Sequence, residues 1–210
     1  MKNLSFLFEK KYVSIKNILM ILPLMIVVSS LSCSKDEDDN QPPAAIVYNE
    51  ENPLDKYHNL AGFTTTSNFV NSGNYEFGLT FSPNVKGKIN ALVVKLPDLN
   101  PNLKITIWDF DTKTVLRTET VNVATANTVV VKSIPEMMLE KDKKYVITMN
   151  SNDWYKRSKA DNSNAVYPIT AGNIKFWEYR WVGGSSQVFP TNISLDYNGG
   201  DLSFNFQQVD

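Results

Sequence analysis

One cysteine and one histidine stand in the 210 residues of this chain. A lone cysteine excludes an internal disulfide framework and nearly excludes a zinc site built by the protein. The only histidine, His58, excludes every His-dependent triad that does not use it. An excess of positive charge is missing as well. Lys+Arg number 21 against 22 Asp+Glu, a formal net charge of −1, so there is no basic field to hold nucleic acid. No phosphate loop, dinucleotide fingerprint, Gly-x-Ser-x-Gly or His-Glu-x-x-His motif occurs. Nor is there a long apolar run. The longest, Ile18 to Val28, has eleven residues and is broken by Pro23. As a helix it reaches about 16 Å, too short for a bilayer core of roughly 30 Å.

What is present argues for a folded chain. Hydrophobic residues make up 42% and charged residues 20%, too apolar for intrinsic disorder. At about 150 residues per domain, the length predicts one domain plus extras.

The N-terminus has the form of an export signal. Lys2, Lys10, Lys11 and Lys16, opposed only by Glu9, precede the short apolar run, and small residues follow it. Cys33 then sits where a signal peptidase would cut. Ser29-Ser30-Leu31-Ser32-Cys33 resembles the lipobox of bacterial lipoproteins, although Leu31 is one place nearer the cysteine than usual. The alternative for Cys33 is an incidental thiol. The resemblance implies a diacylglyceryl group on Cys33 and cleavage before it, hence a signal peptide over 1–32. Losing four lysines and one glutamate takes the net charge from −1 to −4. Two or more acyl chains hold a protein stably on a membrane without a spanning helix.

Ser34-Lys35-Asp36-Glu37-Asp38-Asp39 follows. It is similar to the surface-export signal of Bacteroidota lipoproteins, and it is also an ordinary solvated charge run. Either way four carboxylates keep the segment in water. The expected location is the outer membrane, on the cell surface rather than the periplasmic face. Residues 33–54, with Gln41-Pro42-Pro43, read as a lipidated acidic tether. About twenty residues of coil reach roughly 25 Å.

Residues 55–210 read as strands. Tyr75, Phe77, Leu79 and Phe81 alternate with Glu76, Gly78 and Thr80. Leu103–Ile107, Tyr145–Met149 and Leu202–Phe206 alternate in the same way, each with one dry and one wet face. Ile89 to Leu96, apolar on both faces, reads as a central strand, and Val129 to Ile134 and Ile174 to Val182 supply two more. Turns fall at Pro83-Asn84, Pro97-Asp98, Asp109 to Thr112, Gly183-Gly184 and Asn198-Gly199-Gly200. The only helix candidate is Ser133 to Lys144. The expected fold is all-β, an antiparallel sandwich.

Tyr75 to Phe81, Gly87-Lys88-Ile89, Ile105-Thr106-Ile107-Trp108-Asp109, Leu139 to Val146, Phe189-Pro190 and Asp201 to Phe206 resemble successive strands and turns of a bacterial jelly-roll family of unknown function. The resemblance covers most of residues 57–207. It implies a jelly roll in a surface setting, often beside carbohydrate-active or adhesive modules. It carries no active site.

Chemistry-bearing residues are few. His58 reads as a surface or edge histidine. Asp109 and Asp111, two apart, read mainly as a hairpin turn, with calcium ligation as the alternative. A glycosidase would need two facing carboxylates about 5 to 9.5 Å apart, and Asp109, Asp153 and Glu178 are the acids considered. Trp154-Tyr155-Lys156-Arg157 reads as a loop with exposed rings among charges. Lys175, Trp177, Tyr179 and Trp181 share one face of a strand by parity, and Trp177 and Tyr179 are expected in the core. Trp108 is balanced between burial and exposure.

Aromatic faces stack on the C–H side of a sugar while Asp, Asn and Arg bond its hydroxyls. The expectation is therefore a non-enzymatic, cofactor-free module binding glycan or another extracellular polymer. Its expected ligand-binding residues are Trp154, Tyr155, Arg157 and Trp181. The alternatives are a protein-interaction or adhesion subunit of a surface complex, and a carboxylate-based hydrolase.

Overall fold

Period-two sequences became strands wherever they were read. In the computed structural model, which describes residues 46–184 and 187–210, the fold is all-β with antiparallel pairing throughout. The signal peptide, Cys33 and most of the tether expected over 1–45 lie outside the described residues. The first elements are β1 (Glu50–Glu51), α1 (Leu54–Ala61), β2 (Thr65–Phe69), β3 (Tyr75–Pro83), β4 (Gly87–Lys95), β5 (Asn100–Asp109) and β6 (Val115–Val123). There follow β7 (Val130–Leu139), β8 (Tyr145–Ser151), β9 (Trp154–Ser158), β10 (Ile169–Ala171) and β11 (Ile174–Gly183). The last are β12 (Asn192–Ser194), β13 (Tyr197–Gly199) and β14 (Asp201–Gln208).

Two sheets enclose the core. The larger runs β10-β11-β3-β8-β5-β6, with β12 also on β11, and the smaller runs β1-β14-β4-β7. From the first come Phe77, Leu79, Phe81, Ile105, Ile107, Ile147 and Met149, and from the second Ile89, Leu92, Val94, Leu202, Phe204 and Phe206. Phe81 meets Phe204 across the interior with ring centres 4.7 Å apart. At the open edge, side chains bridge the sheets: Arg117 donates to the Pro135 carbonyl (2.7 Å), and Lys132 pairs with Glu119 at 2.7 Å. A third sheet, β13-β9-β2, shares no strand pairing with either and packs on them through side chains.

Ile89–Leu96 is central, as expected, because β4 lies between β14 and β7. The helix expected at Ser133–Lys144 is instead strand β7 and the turn after it. Its backbone pairs with β4 from Val130 to Leu139, and cross-strand pairing outweighs the weak local preference of Met137-Met138-Leu139. The helix among the described residues is α1, where the expected tether meets the expected β domain and no helix is expected from the sequence. It ends at Gly62, whose φ of 75° is the left-handed conformation that glycine accepts freely. β1 falls inside the stretch expected as tether. It pairs with β14, and Asn52 accepts a hydrogen bond from the Ser203 hydroxyl (2.6 Å).

The second correction concerns the wet faces. Along β3 every residue after Tyr75 is buried, Glu76, Thr80 and Ser82 included. The chain after β11 returns over this face. Gln187 donates to Thr106 and Thr118 (2.6 and 2.7 Å), and Arg180 donates to the Pro190 carbonyl at 3.2 Å. Alternation here records polarity, not exposure.

Candidate functional site

Strand β9 positions the site. Trp154 and Lys156 project from one side of it, Tyr155 and Arg157 from the other, as period two requires. The pairing of β9 with β2 sets Trp154 opposite Phe69, and the rings stack 5.3 Å apart at 7°. From β3, Tyr75 meets Trp154 edge-on (5.3 Å, 82°) and Phe77 lies beneath it at 5.5 Å. Trp181 of β11 meets Tyr75 at 6.1 Å. Tyr179 packs on Tyr197 at 5.1 Å, and the Lys156 ammonium sits 4.5 Å over the Tyr197 ring. These eight residues line a cleft of about 220 Å³.

Lys156 is the one formal charge in this lining. Burial raises the hydroxyls of Tyr179 and Tyr197 above the ordinary tyrosine range, so both are neutral near pH 7. The Trp181 indole N–H is spent on the Ser194 hydroxyl at 3.1 Å. The cleft therefore offers ring faces and one ammonium. Its volume is below the roughly 300–1,000 Å³ of drug-sized sites, and it suits a single flat ring.

Of the four expected binding residues, Trp154 and Trp181 come together here and the other two do not. The expectation of a 154–157 loop is corrected: these residues form β9. Tyr155 is buried and bonds Asn127 through its hydroxyl. Arg157 makes a two-pronged ion pair with Asp201 (2.9 and 2.5 Å) and bonds Thr66, and Asp201 raises its pKa further. An arginine so held fixes β9 to β14; it is committed to structure.

Strand β11 corrects a second parity. A bulge between Phe176 and Glu178 shifts the register against β3. Ile174 and Phe176 face the core before it, Tyr179 and Trp181 after it, and Trp177 passes to the outer face. One extra residue reverses the faces, so Tyr179 is core as expected and Trp177 is not. Its indole donates to Ser82 at 3.0 Å.

Trp108 is buried, with its indole donating to Thr148 at 2.9 Å. His58 is not at the surface: it is 8% exposed on the inner side of α1. Asn198 lies 3.1 Å from its Nε2, and burial pushes its pKa down to about 4. Asp109 closes the hairpin, accepting from the Asp111 and Thr112 amides (3.0 and 2.9 Å) and pairing with Lys143 at 3.1 Å. These bonds pull its pKa down to about 2. Its oxygens are thus engaged, and among the described residues no group of three or more His, Cys, Asp or Glu is arranged for a metal ion. Asp153 accepts from the Asn71 amide at 2.7 Å, and Glu178 pairs with Arg180 at 2.6 Å.

Sequence reasoning missed Phe69, Tyr75, Tyr197 and the role of Lys156. Phe69 ends a strand that is otherwise polar, Thr65-Thr66-Ser67-Asn68, and only its pairing with β9 makes it a wall. No family model matches the chain, and no curated protein matches it. Among the described residues no helix is long and apolar enough to cross a membrane.

Proposed function

We propose that this chain is a lipid-anchored surface module that binds a glycan, or another extracellular polymer with flat apolar rings, in the aromatic cleft. The cleft is the observation that carries the reading: seven aromatic side chains and one lysine in a shallow, preformed hollow. Aromatic faces bind the C–H side of a pyranose, and Lys156 supplies hydrogen-bond donors at the rim. A hollow of about 220 Å³ seats one sugar ring of a longer chain. The lipid anchor at Cys33 and display on the outer face of an outer membrane are supported by the sequence features described above. The jelly-roll assignment is supported by the crossing pattern: β3 in the large sheet, β4 in the small, β5 and β6 in the large, β7 in the small, β8 in the large again. The module acts by binding, not turnover. Asp109, Asp153 and Glu178 are each engaged by local partners, which favours binding over turnover.

A glycan array probed with the full-length protein tests the cleft. Retention on at least one glycan is expected, with about a tenfold or greater loss in Trp154→Ala, as for hot-spot aromatics. Lys156→Gln, which leaves the packing alone, is expected to weaken the same signal. Absence of any signal, or equal signals from all three proteins, overturns the reading. Mass spectrometry of membrane-extracted protein is expected to find a diacylglyceryl cysteine as residue 33.

Adhesion to another protein is the second reading. It is favoured by exposed Val115, Leu116, Val131 and Met138 on the neighbouring edge strands β6 and β7. Recovery of an intact complex that Val131→Lys disrupts, with no glycan retained, would transfer the function there.

A further inference from the structure

The outer face of the large sheet carries a second array of rings, distinct from the cleft in residues and in charge. Lys144 places its ammonium 3.9 Å from the Trp177 ring centre and 5.3 Å from that of Phe110. Lys175 lies 5.4 Å from Trp177. Lys113 lies 5.9 Å from Phe189, and the Arg180 guanidinium 5.2 and 5.8 Å from Phe110 and Phe189. Phe110, Lys113, Arg180 and Phe189, with Asp111 and Thr191, bound a groove of about 450 Å³.

Of these four cations only Arg180 has a carboxylate partner, Glu178 at 2.6 Å. Lys113, Lys144 and Lys175 form no ion pair among the described residues. Ring faces hold them instead. A ring steadies an ammonium through its quadrupole but carries no net charge, so the three ammonium groups keep their charge and N–H donors, with Asp111 the one carboxylate in the groove lining. Lys88, Lys132 and Lys143, by contrast, meet carboxylates. A local surplus of three lysines on a chain of net charge −1 concentrates an attractive field at one place.

From this juxtaposition of ring-held lysines and an open groove, we propose a second site, for an acidic polysaccharide bearing carboxylates or sulfates. Two features favour it over a nucleic acid. The patch is short, and the rest of the chain is net negative, which opposes a continuous polyphosphate. An acidic polysaccharide spaces its charges with neutral rings, which suits cations set among aromatic side chains. The bulge in β11 completes the site, since it turns Arg180 to the face that Lys175 and Trp177 already share.

Affinity electrophoresis of the full-length protein through gels holding polygalacturonate, dextran sulfate or neutral dextran tests this, with single-stranded DNA as competitor. Retardation is expected in one or both anionic gels and not in neutral dextran, and it weakens as NaCl rises. Polygalacturonate alone assigns carboxylates, dextran sulfate alone sulfates. The triple variant Lys113→Gln, Lys144→Gln, Lys175→Gln is expected to lose about tenfold or more of the affinity. Trp154→Ala, in the cleft, is expected to retain it. No retardation of the wild type, equal retardation in neutral dextran, salt-independent retardation, an unaffected triple variant, or tighter binding of DNA would each overturn the proposal. Should the triple variant fail to fold by circular dichroism, Lys144→Gln alone and the wild-type salt dependence decide.

Discussion

Both faces of the large sheet bury side chains, and they do so by different means. The inner face is hydrocarbon: Phe77, Leu79, Phe81, Ile105, Ile107 and Ile147 close against the small sheet. The outer face is polar: Glu76, Thr80, Ser82, Thr106 and Thr148 are buried there, Thr106 beneath Gln187, Ser82 against the Trp177 indole and Thr148 against that of Trp108. Hydrocarbon is held by the free energy of leaving water, which is not directional. Polar groups stay under cover only while their bonds are made. The inner face should therefore tolerate imprecision and punish lost volume, while the outer face should tolerate lost volume and punish a lost partner.

The sharpest break is at Phe81, fully buried between Tyr145 and Phe204. Phe81→Ala is expected to cost about 3–5 kcal/mol in urea unfolding. Next comes His58, which sits on the core side against Tyr57 and Phe63. Its folded pKa of about 4 lies below the ordinary 6.5, so the unfolded chain binds the proton first. Stability is then complete above pH 6.5 and falls as the pH drops toward 4, by about 3 kcal/mol at full development. Unfolding midpoints between pH 7 and 4 check this, and His58→Gln is expected to flatten the slope.

Thr148→Val tests the outer face. It keeps the volume but removes the hydroxyl that accepts from Trp108 and donates to Glu76. A cost of about 1–3 kcal/mol is expected, set by the orphaned partners. The smallest effect belongs to Glu76→Gln. Burial raises the Glu76 pKa, and its Oε2 has no partner. A raised folded pKa means stability is lost as the pH climbs through it, opposite in sign to His58. The glutamine variant is expected to lose less stability than the wild type as the pH rises above the ordinary glutamate value of 4.5.

Most strands were legible, because alternation is a local property. Tyr75–Phe81, Leu103–Ile107 and Leu202–Phe206 needed no partner to be recognised. What failed was whatever depends on a partner distant in sequence. The β11 bulge exists only against β3, so the faces of Trp177 and Tyr179 were read as one. Trp154 and Tyr155 looked like loop residues because Asp153, Lys156 and Arg157 surround them; Asp201 and Asn71, far along the chain, absorb that charge. The cleft was half visible. Its two tryptophans were named, while Phe69 and Tyr197 came from segments with no aromatic pattern.

The contact of β1 with β14 has a mechanical meaning. Two paired positions, Glu50 with Gln207 and Glu51 with Phe206, join them, helped by Asn205 donating to Glu50, Gln207 to the Tyr48 carbonyl and the Tyr48 hydroxyl to Asp210. Tension arriving from the N-terminal side reaches this short zip before any longer ladder. It would give way first, before the sandwich itself is sheared.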